Sequence, residues 1–131
     1  MLALDTNVLV RYLAQDDAKQ SAAATQFIEQ RLGPTDRGFV SLVALLETVW
    51  VMESHYGADA VLVADILSDL LETASLEVED AGAVRAALQL YRKGGADLHD
   101  CLIVSLAEQR KARVVTFDAK AAKRRGMELL R

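Results

Sequence analysis

Short apolar segments alternate with longer segments of helical periodicity along the whole chain. Strands are predicted at residues 2–5, 38–41, 75–80 and 113–117, with a last edge strand at 127–130. Between them, apolar residues recur at steps of three and four, which predicts helices over about 6–14, 17–32, 42–55, 58–72, 81–93, 98–110 and from 118 onward. Strands that alternate with helices form a parallel sheet with helices on both faces. The expected fold class is therefore α/β, with a central parallel sheet of four to five strands.

Composition indicates a single globular domain over residues 1–131. Apolar residues make up 52% of the chain and charged residues 26%, which excludes the disordered class. The one cysteine, Cys101, can form no internal disulfide, and residues 1–20 contain no pattern typical of a signal peptide. The longest apolar stretch, residues 39–52, contains Glu47 and is shorter than the roughly 20 residues that span a bilayer. A cytoplasmic protein without membrane insertion is expected.

Charge is distributed unevenly along the chain. Residues 1–109 contain 7 Lys or Arg and 17 Asp or Glu, whereas residues 110–131 contain 8 and 2. A basic end of this kind is typical either of a polyanion-binding tail or of a solvated last helix. The candidate RNA-binding residues are Arg110, Lys111, Arg113, Lys120, Lys123, Arg124 and Arg125.

Four acidic residues occur in apolar sequence contexts, unlike most of the 19 in the chain. Asp5 ends "LAL", Glu47 lies within "VALLETVWV", Asp100 precedes "CLIV", and Asp118 ends "VVTF". Asp5 and Asp118 therefore follow strands, and ligands of parallel α/β folds gather at the carboxyl ends of strands. The helix around Glu47 is apolar on almost every side, which predicts a buried helix with its glutamate directed into an apolar stripe.

Each acid also has a structural interpretation. Asp5 and Asp118 are suitable helix caps, and Asp97 with Asp100 resembles a capping box. Glu47 could be a buried neutral acid or the partner of an arginine. Structural roles alone do not account for all four acids together, because a parallel α/β fold would bring them to the same edge of the sheet.

A cluster of four carboxylates requires a cation. Two carboxylates about 4 Å apart repel each other by about 4 kcal/mol at an effective dielectric constant near 20. Oxygen ligands favour Mg²⁺ or Mn²⁺, whereas zinc would call for cysteine or histidine. Cys101, His55 and His99 form no recognisable ligand pattern in the sequence.

The four acidic segments resemble the motifs of a known family. "LALDTNVLVRYL", "SLVALLETVW", "ADLHDCLIVSLA" and "VVTFDAK" are similar, in this order, to the acidic motifs of PIN-domain ribonucleases, more narrowly of VapC-type toxins. The resemblance implies a PIN-like three-layer αβα sandwich. It implies that one or two Mg²⁺, with Mn²⁺ as a substitute, are bound by Asp5, Glu47, Asp100 and Asp118. It further implies auxiliary roles for Asp97, Asn7 and Thr116.

The same resemblance implies an activity and partners. The expected activity is that of an endoribonuclease toxin that hydrolyses RNA by metal-activated water. The expected partners are a VapB-like antitoxin and a second copy of the chain in a homodimer. Because few aromatic residues are available for base stacking, a structured RNA such as tRNA or rRNA is the expected substrate.

Three alternatives remain open from the sequence. The first is a PIN nuclease that processes RNA or DNA outside a toxin pair, and the second is a degenerate binding module. The third is a phospho-acceptor receiver domain, which needs an aspartate at the end of its third strand. There the chain offers Glu77, Glu79 and Asp80 in a polar run, and that interpretation gives Glu47 no role.

Overall fold

The computed structural model describes the backbone of residues 1–131 and all side chains except those of residues 124 and 125. It divides into two compact units, Met1–Ala81 and Gly82–Arg131. The helices are α1 (Thr6–Ala14), α2 (Ala18–Gln26), α3 (Leu42–Tyr56), α4 (Ala60–Glu72), α5 (Ala81–Arg92), α6 (Leu98–Gln109) and α7 (Ala119–Arg125). The strands are β1 (Gly38–Val40), β2 (Leu76–Val78), β3 (Val115–Thr116) and β4 (Glu128–Leu129).

All four strands pair in parallel, which confirms the α/β class. In the first unit β1 pairs with β2, and in the second unit β3 pairs with β4. The predicted strand at residues 2–5 is reduced to a single parallel bridge between Ala3 and Phe39. Two hydrogen bonds support this bridge, since the N–H of Leu4 donates to Phe39 and the N–H of Phe39 donates to Leu2. The strands are shorter than predicted, because helices begin only one or two residues after several of them.

The core of the first unit is aliphatic. Helix α1 packs on α2 and α3, and the largest fully buried side chains there are Leu9, Ile28, Leu45, Leu67 and Leu70. Gly38 allows β1 to approach this core closely, since a Cβ there would lie 2.5 Å from Leu4 Cδ1 and 2.7 Å from Leu32 Cδ1. The predicted helix over 17–32 is confirmed, but its last turn, Phe27–Arg31, has π-helical bonding.

A polar network joins the turn after α1 to the end of α3. The O–H of Tyr56 donates to Asp16 Oδ2 at 2.6 Å, and Arg11 Nη1 donates to Asp16 Oδ1 at 3.1 Å. The hydrogen bond from Tyr56 and then the arginine charge lower the pKa of the Asp16 carboxyl below its ordinary value. The same bond raises the pKa of Tyr56.

The second unit has its own small core around helices α6 and α7. Val104, Ala121 and Met127 are buried together, and Leu90 and Val114 pack against them. Cys101 is fully buried on α6. Among the described residues, none of the helices combines the length and the apolarity that crossing a membrane requires.

The prediction that α3, which is apolar on almost every side, is a buried helix is wrong, because one of its faces is exposed. Ala44, Leu45, Thr48, Val49 and Met52 face the interior. Val43 and Trp50 are 69% and 60% exposed, and Glu47 is exposed between them. Apolar composition indicates that a helix can be buried, but the number of neighbouring elements decides how many of its faces are covered.

Candidate functional site

Asp5, Thr6 and Glu47 are connected in the first unit. Asp5 occupies the N-cap position of α1, and its Oδ1 accepts a hydrogen bond of 2.9 Å from the backbone N–H of Thr6. The hydroxyl of the same Thr6 donates to Glu47 Oε1 on α3, also at 2.9 Å. Two acids that are 42 positions apart in the sequence are thus linked through one threonine.

The acids do not lie in the apolar surroundings that their sequence contexts predicted. Asp5, Glu47 and Asp118 are exposed, and Asp100 is half-buried. Leu4, the residue before Asp5, is buried at 5% exposure, whereas Asp5 itself is exposed. Because these carboxylates keep contact with solvent, their placement imposes no need for a buried positive partner.

Three further candidate acids line one cavity in the second unit. The cavity has a volume of about 300 Å³ and is lined by Gly95, Ala96, Asp97, Asp100, Asp118, Lys120 and Ala121. Asp97 and Asp100 reach it from the start of α6, and Asp118 reaches it from the start of α7. The three carboxylate side chains provide oxygen ligands for a cation. The ammonium group of Lys120 provides a contact for an anion.

Asp118 is oriented by a helix cap. Its Oδ1 accepts from the N–H groups of Lys120 and Ala121 at 2.9 and 3.2 Å. The hydroxyl of Thr116 in turn accepts from the N–H of Asp118 at 3.0 Å. The capping interpretation of Asp118 is therefore confirmed. Because the capping bonds involve only Oδ1, they leave Oδ2 available to a ligand.

Capping does not explain Asp97. It occupies the N-cap position of α6, yet its side chain makes no capping hydrogen bond, so the predicted capping box does not form. Instead, ligand atoms of Asp97, His99 and Asp100 all lie within 4.8 Å of one another. His99 Nε2 lies 3.5 Å from Asp100 Oδ1. His99, which forms no recognisable ligand pattern with Cys101 or His55 in the sequence, thus lies beside two aspartates in the first turn of α6.

Asn7 lines a different cavity from the acids of the second unit. A cavity of about 490 Å³ is lined mostly by apolar side chains, including Leu2, Val8 and Phe27, and Asn7 also lines it. No hydrogen bond joins Asn7 to a candidate acid among the residues that the structure describes. A role for Asn7 in the site stays a prediction.

Most of the candidate RNA-binding side chains lie on the surface of the second unit. Arg110, Lys111, Arg113, Lys120 and Lys123 are all exposed. Arg113 Nε donates to the carbonyl of Gly126 at 3.4 Å, and Lys120 lines the acidic cavity. The side chains of Arg124 and Arg125 lie outside the part of the chain that is described.

No role in the site was predicted from the sequence for Thr6 or for His99. Thr6 follows Asp5 directly, and a hydroxyl beside a candidate acid at the start of a helix was a signal that could have been used. His99 lies between Asp97 and Asp100, so proximity along one helical turn could have identified it.

Comparison with known proteins shows the family. A sequence model of the PIN domain matches residues 2–126, nearly the whole chain. The chain belongs to the PIN domain family. The PIN fold expected from the four motifs is thereby confirmed, and the receiver-domain alternative is overturned.

One similar protein indicates which branch of the PIN family this chain resembles. The PIN domain is 28% identical over 102 residues to the VapC ribonuclease of Aquifex aeolicus (strain VF5). The alignment covers 78% of this chain and 75% of the relative. The narrower resemblance to VapC-type PIN proteins is thereby confirmed.

Proposed function

We propose that this PIN domain is a divalent-metal-dependent endoribonuclease and the toxin of a VapBC-type toxin–antitoxin pair. The observation that carries the proposal is the cavity in which Asp97, Asp100 and Asp118 meet beside Lys120. It is supported by the match to the PIN domain over residues 2–126 and by the similarity to a VapC ribonuclease.

The metal-binding and catalytic residues that we propose are Asp5, Glu47, Asp100 and Asp118. In the first unit, the Thr6 hydroxyl holds the Glu47 carboxylate, and the Thr6 N–H holds that of Asp5. In the second unit, two backbone N–H groups fix Asp118. Holding carboxylates in one orientation before a ligand arrives reduces the conformational entropy lost on binding.

The donor set fits Mg²⁺ or Mn²⁺. Asp97 is uncommitted to capping and Asp118 uses only one oxygen for its cap, so carboxylate oxygens in this cavity remain available as ligands. When bound, such an ion activates water and stabilises the charge that develops on the leaving oxygen. Lys120 lies where its ammonium group can pair with a phosphate of the substrate, while Asp97 and Thr116 have auxiliary roles.

The exposed basic residues of the second unit provide the contacts to flanking phosphates. Such contacts are insensitive to base sequence and weaken with salt. We propose a structured RNA, of the tRNA or rRNA kind, as substrate. A VapB-like antitoxin and a second copy of the chain are the proposed partners in the cytoplasm.

Cleavage by purified protein tests the nuclease proposal. The Asp5→Asn and Asp100→Asn variants should be folded but inactive on RNA in the presence of Mg²⁺, because each substitution removes a charged ligand. Asp65→Asn is the matched control, since Asp65 is an exposed acid of α4 outside the site, and should cleave like the native protein. Activity that persists in EDTA, or native rates in either site variant, would contradict the proposal.

The genomic neighbourhood and cellular RNA distinguish a toxin from a processing nuclease. A small open reading frame for a DNA-binding antitoxin directly upstream supports the toxin. Sequencing of RNA ends after induced expression should show new ends at one or a few sites of a structured RNA. If growth and RNA ends do not change while the purified protein cleaves RNA, the processing alternative is favoured.

A further inference from the structure

His99 differs from the other groups near the acidic cavity because it offers nitrogen. Its ligand atom lies within 4.8 Å of carboxylate oxygens of both Asp97 and Asp100, which also line the cavity of about 300 Å³. The three residues occupy the N-cap and first turn of α6, so the helix backbone itself determines their spacing. His99 is not among the residues that line this cavity, but an ion bound between Asp97 and Asp100 on the side of His99 would also be within reach of its imidazole.

A purely structural role for this group is weakly supported. The 3.5 Å between His99 Nε2 and Asp100 Oδ1 exceeds the roughly 2.7–2.9 Å of a charge-assisted hydrogen bond. The His99 side chain is 61% exposed, and exposed ion pairs contribute little to stability. Asp97 does not cap the helix either. The cluster therefore does little to hold the helix in place.

We propose that His99 is a ligand of the metal bound by Asp97 and Asp100, and that it gives the site a preference for Mn²⁺ over Mg²⁺. This inference rests on the proposed function, because it concerns the metal of the same site. Imidazole suits transition metals, whereas Mg²⁺ prefers carboxylate and water oxygens. Asp97 and Asp100 supply oxygen ligands that both Mn²⁺ and Mg²⁺ accept. His99 is therefore the ligand that makes the site selective for Mn²⁺.

Nitrogen coordination is directly observable with Mn²⁺. The chain contains two histidines, His99 and His55, so the source of an imidazole signal can be assigned by substitution. Electron spin echo envelope modulation of Mn²⁺-loaded protein should show ¹⁴N coupling of a coordinated imidazole. The coupling should vanish in His99→Ala and remain in His55→Ala. His55 is a suitable control because it is also exposed and packs edge-on against Trp50 on α3.

Metal affinities provide the second measurement. Titration calorimetry should show that His99→Ala loses about tenfold in Mn²⁺ affinity, the lower end of effects seen when ligand shells are altered. The Mg²⁺ affinity should change less than threefold by comparison, and circular dichroism should confirm that the variant is folded.

The outcomes separate this inference from the proposed function. If the native protein binds neither Mn²⁺ nor Mg²⁺, the proposed metal-dependent function fails. If it binds both, but His99→Ala retains the ¹⁴N coupling or loses affinity for both ions equally, only the assignment of His99 is overturned.

Discussion

Removing the hydroxyl of Thr6 tests whether the link between Asp5 and Glu47 matters for activity. Thr6→Val keeps the shape and the β-branch of the side chain, and it keeps the backbone N–H that donates to Asp5. It removes only the 2.9 Å hydrogen bond to Glu47 Oε1. The orientation of the Glu47 carboxylate is then no longer fixed, while the fold is largely preserved.

The size of the effect follows from the charge and the exposure of the pair. A hydrogen bond to a charged group contributes about 1.5–3 kcal/mol. Because Glu47 is exposed and Thr6 is half-buried, we expect the loss of this bond to cost about 1–2 kcal/mol. At about 1.4 kcal/mol per factor of ten, kcat/KM for RNA cleavage should fall roughly 5- to 30-fold.

Initial rates of cleavage of a labelled RNA in Mg²⁺ measure this loss. Thr6→Ser should restore most of the activity, because it returns the hydroxyl. Thr25→Val is a matched control, since Thr25 also bonds a side chain, that of Gln15 at 3.0 Å, outside the site. If Thr6→Val cleaves RNA at the native rate, the hydroxyl does not position Glu47 for the reaction.

Four further substitutions address stability, RNA binding and the titration of Asp16. Leu9→Ala should lower the free energy of unfolding by about 2–5 kcal/mol in urea denaturation, because Leu9 is fully buried. Lys120→Ala and Lys123→Ala should each weaken RNA binding and reduce the slope of log K against log salt by about 1. Tyr56→Phe removes the donor that lowers the pKa of Asp16, so this pKa, followed by NMR, should rise toward its ordinary value. Because a lowered pKa stabilises the fold above the ordinary value of the carboxyl, Tyr56→Phe should lose stability at neutral pH and little in strong acid.

Matched substitutions check each of these results. Val61→Ala should change stability by less than about 0.5 kcal/mol, since Val61 is 71% exposed. Lys19→Ala removes an exposed lysine of the first unit and should leave the salt slope unchanged. Tyr12→Phe removes a hydroxyl that bonds Glu29 and should not move the pKa of Asp16. A Lys19→Ala effect equal to that of Lys120→Ala would show that RNA binding follows net charge alone.

Local sequence signals located the elements well. Predicted helices 42–55 and 81–93 correspond to Leu42–Tyr56 and Ala81–Arg92, because apolar spacing is a property of neighbouring residues. Strand lengths were overestimated, since pairing partners and not propensity determine where a strand ends. "RVVTF" thus contributes only Val115 and Thr116 to a pair.

Local sequence signals did not predict the surroundings of the candidate acids. Glu47 was expected in an apolar interior but lies on the open face of α3, and Asp97 was expected to cap α6 but does not. The link through Thr6 joins residues 41 positions apart, a pairing that no local pattern specifies.

The sequence by itself determined the fold class, the family and the identity of the candidate acids. These depend on periodicity and on motifs that each lie within a dozen residues. Tertiary structure alone decided which side of α3 is open, that Thr6 holds Glu47, and that Asp118 shares a cavity with Asp97 and Asp100. The physical reason is that burial, side-chain hydrogen bonding and ligand geometry arise between segments distant in the chain, where packing selects one of many arrangements that the local pattern allows.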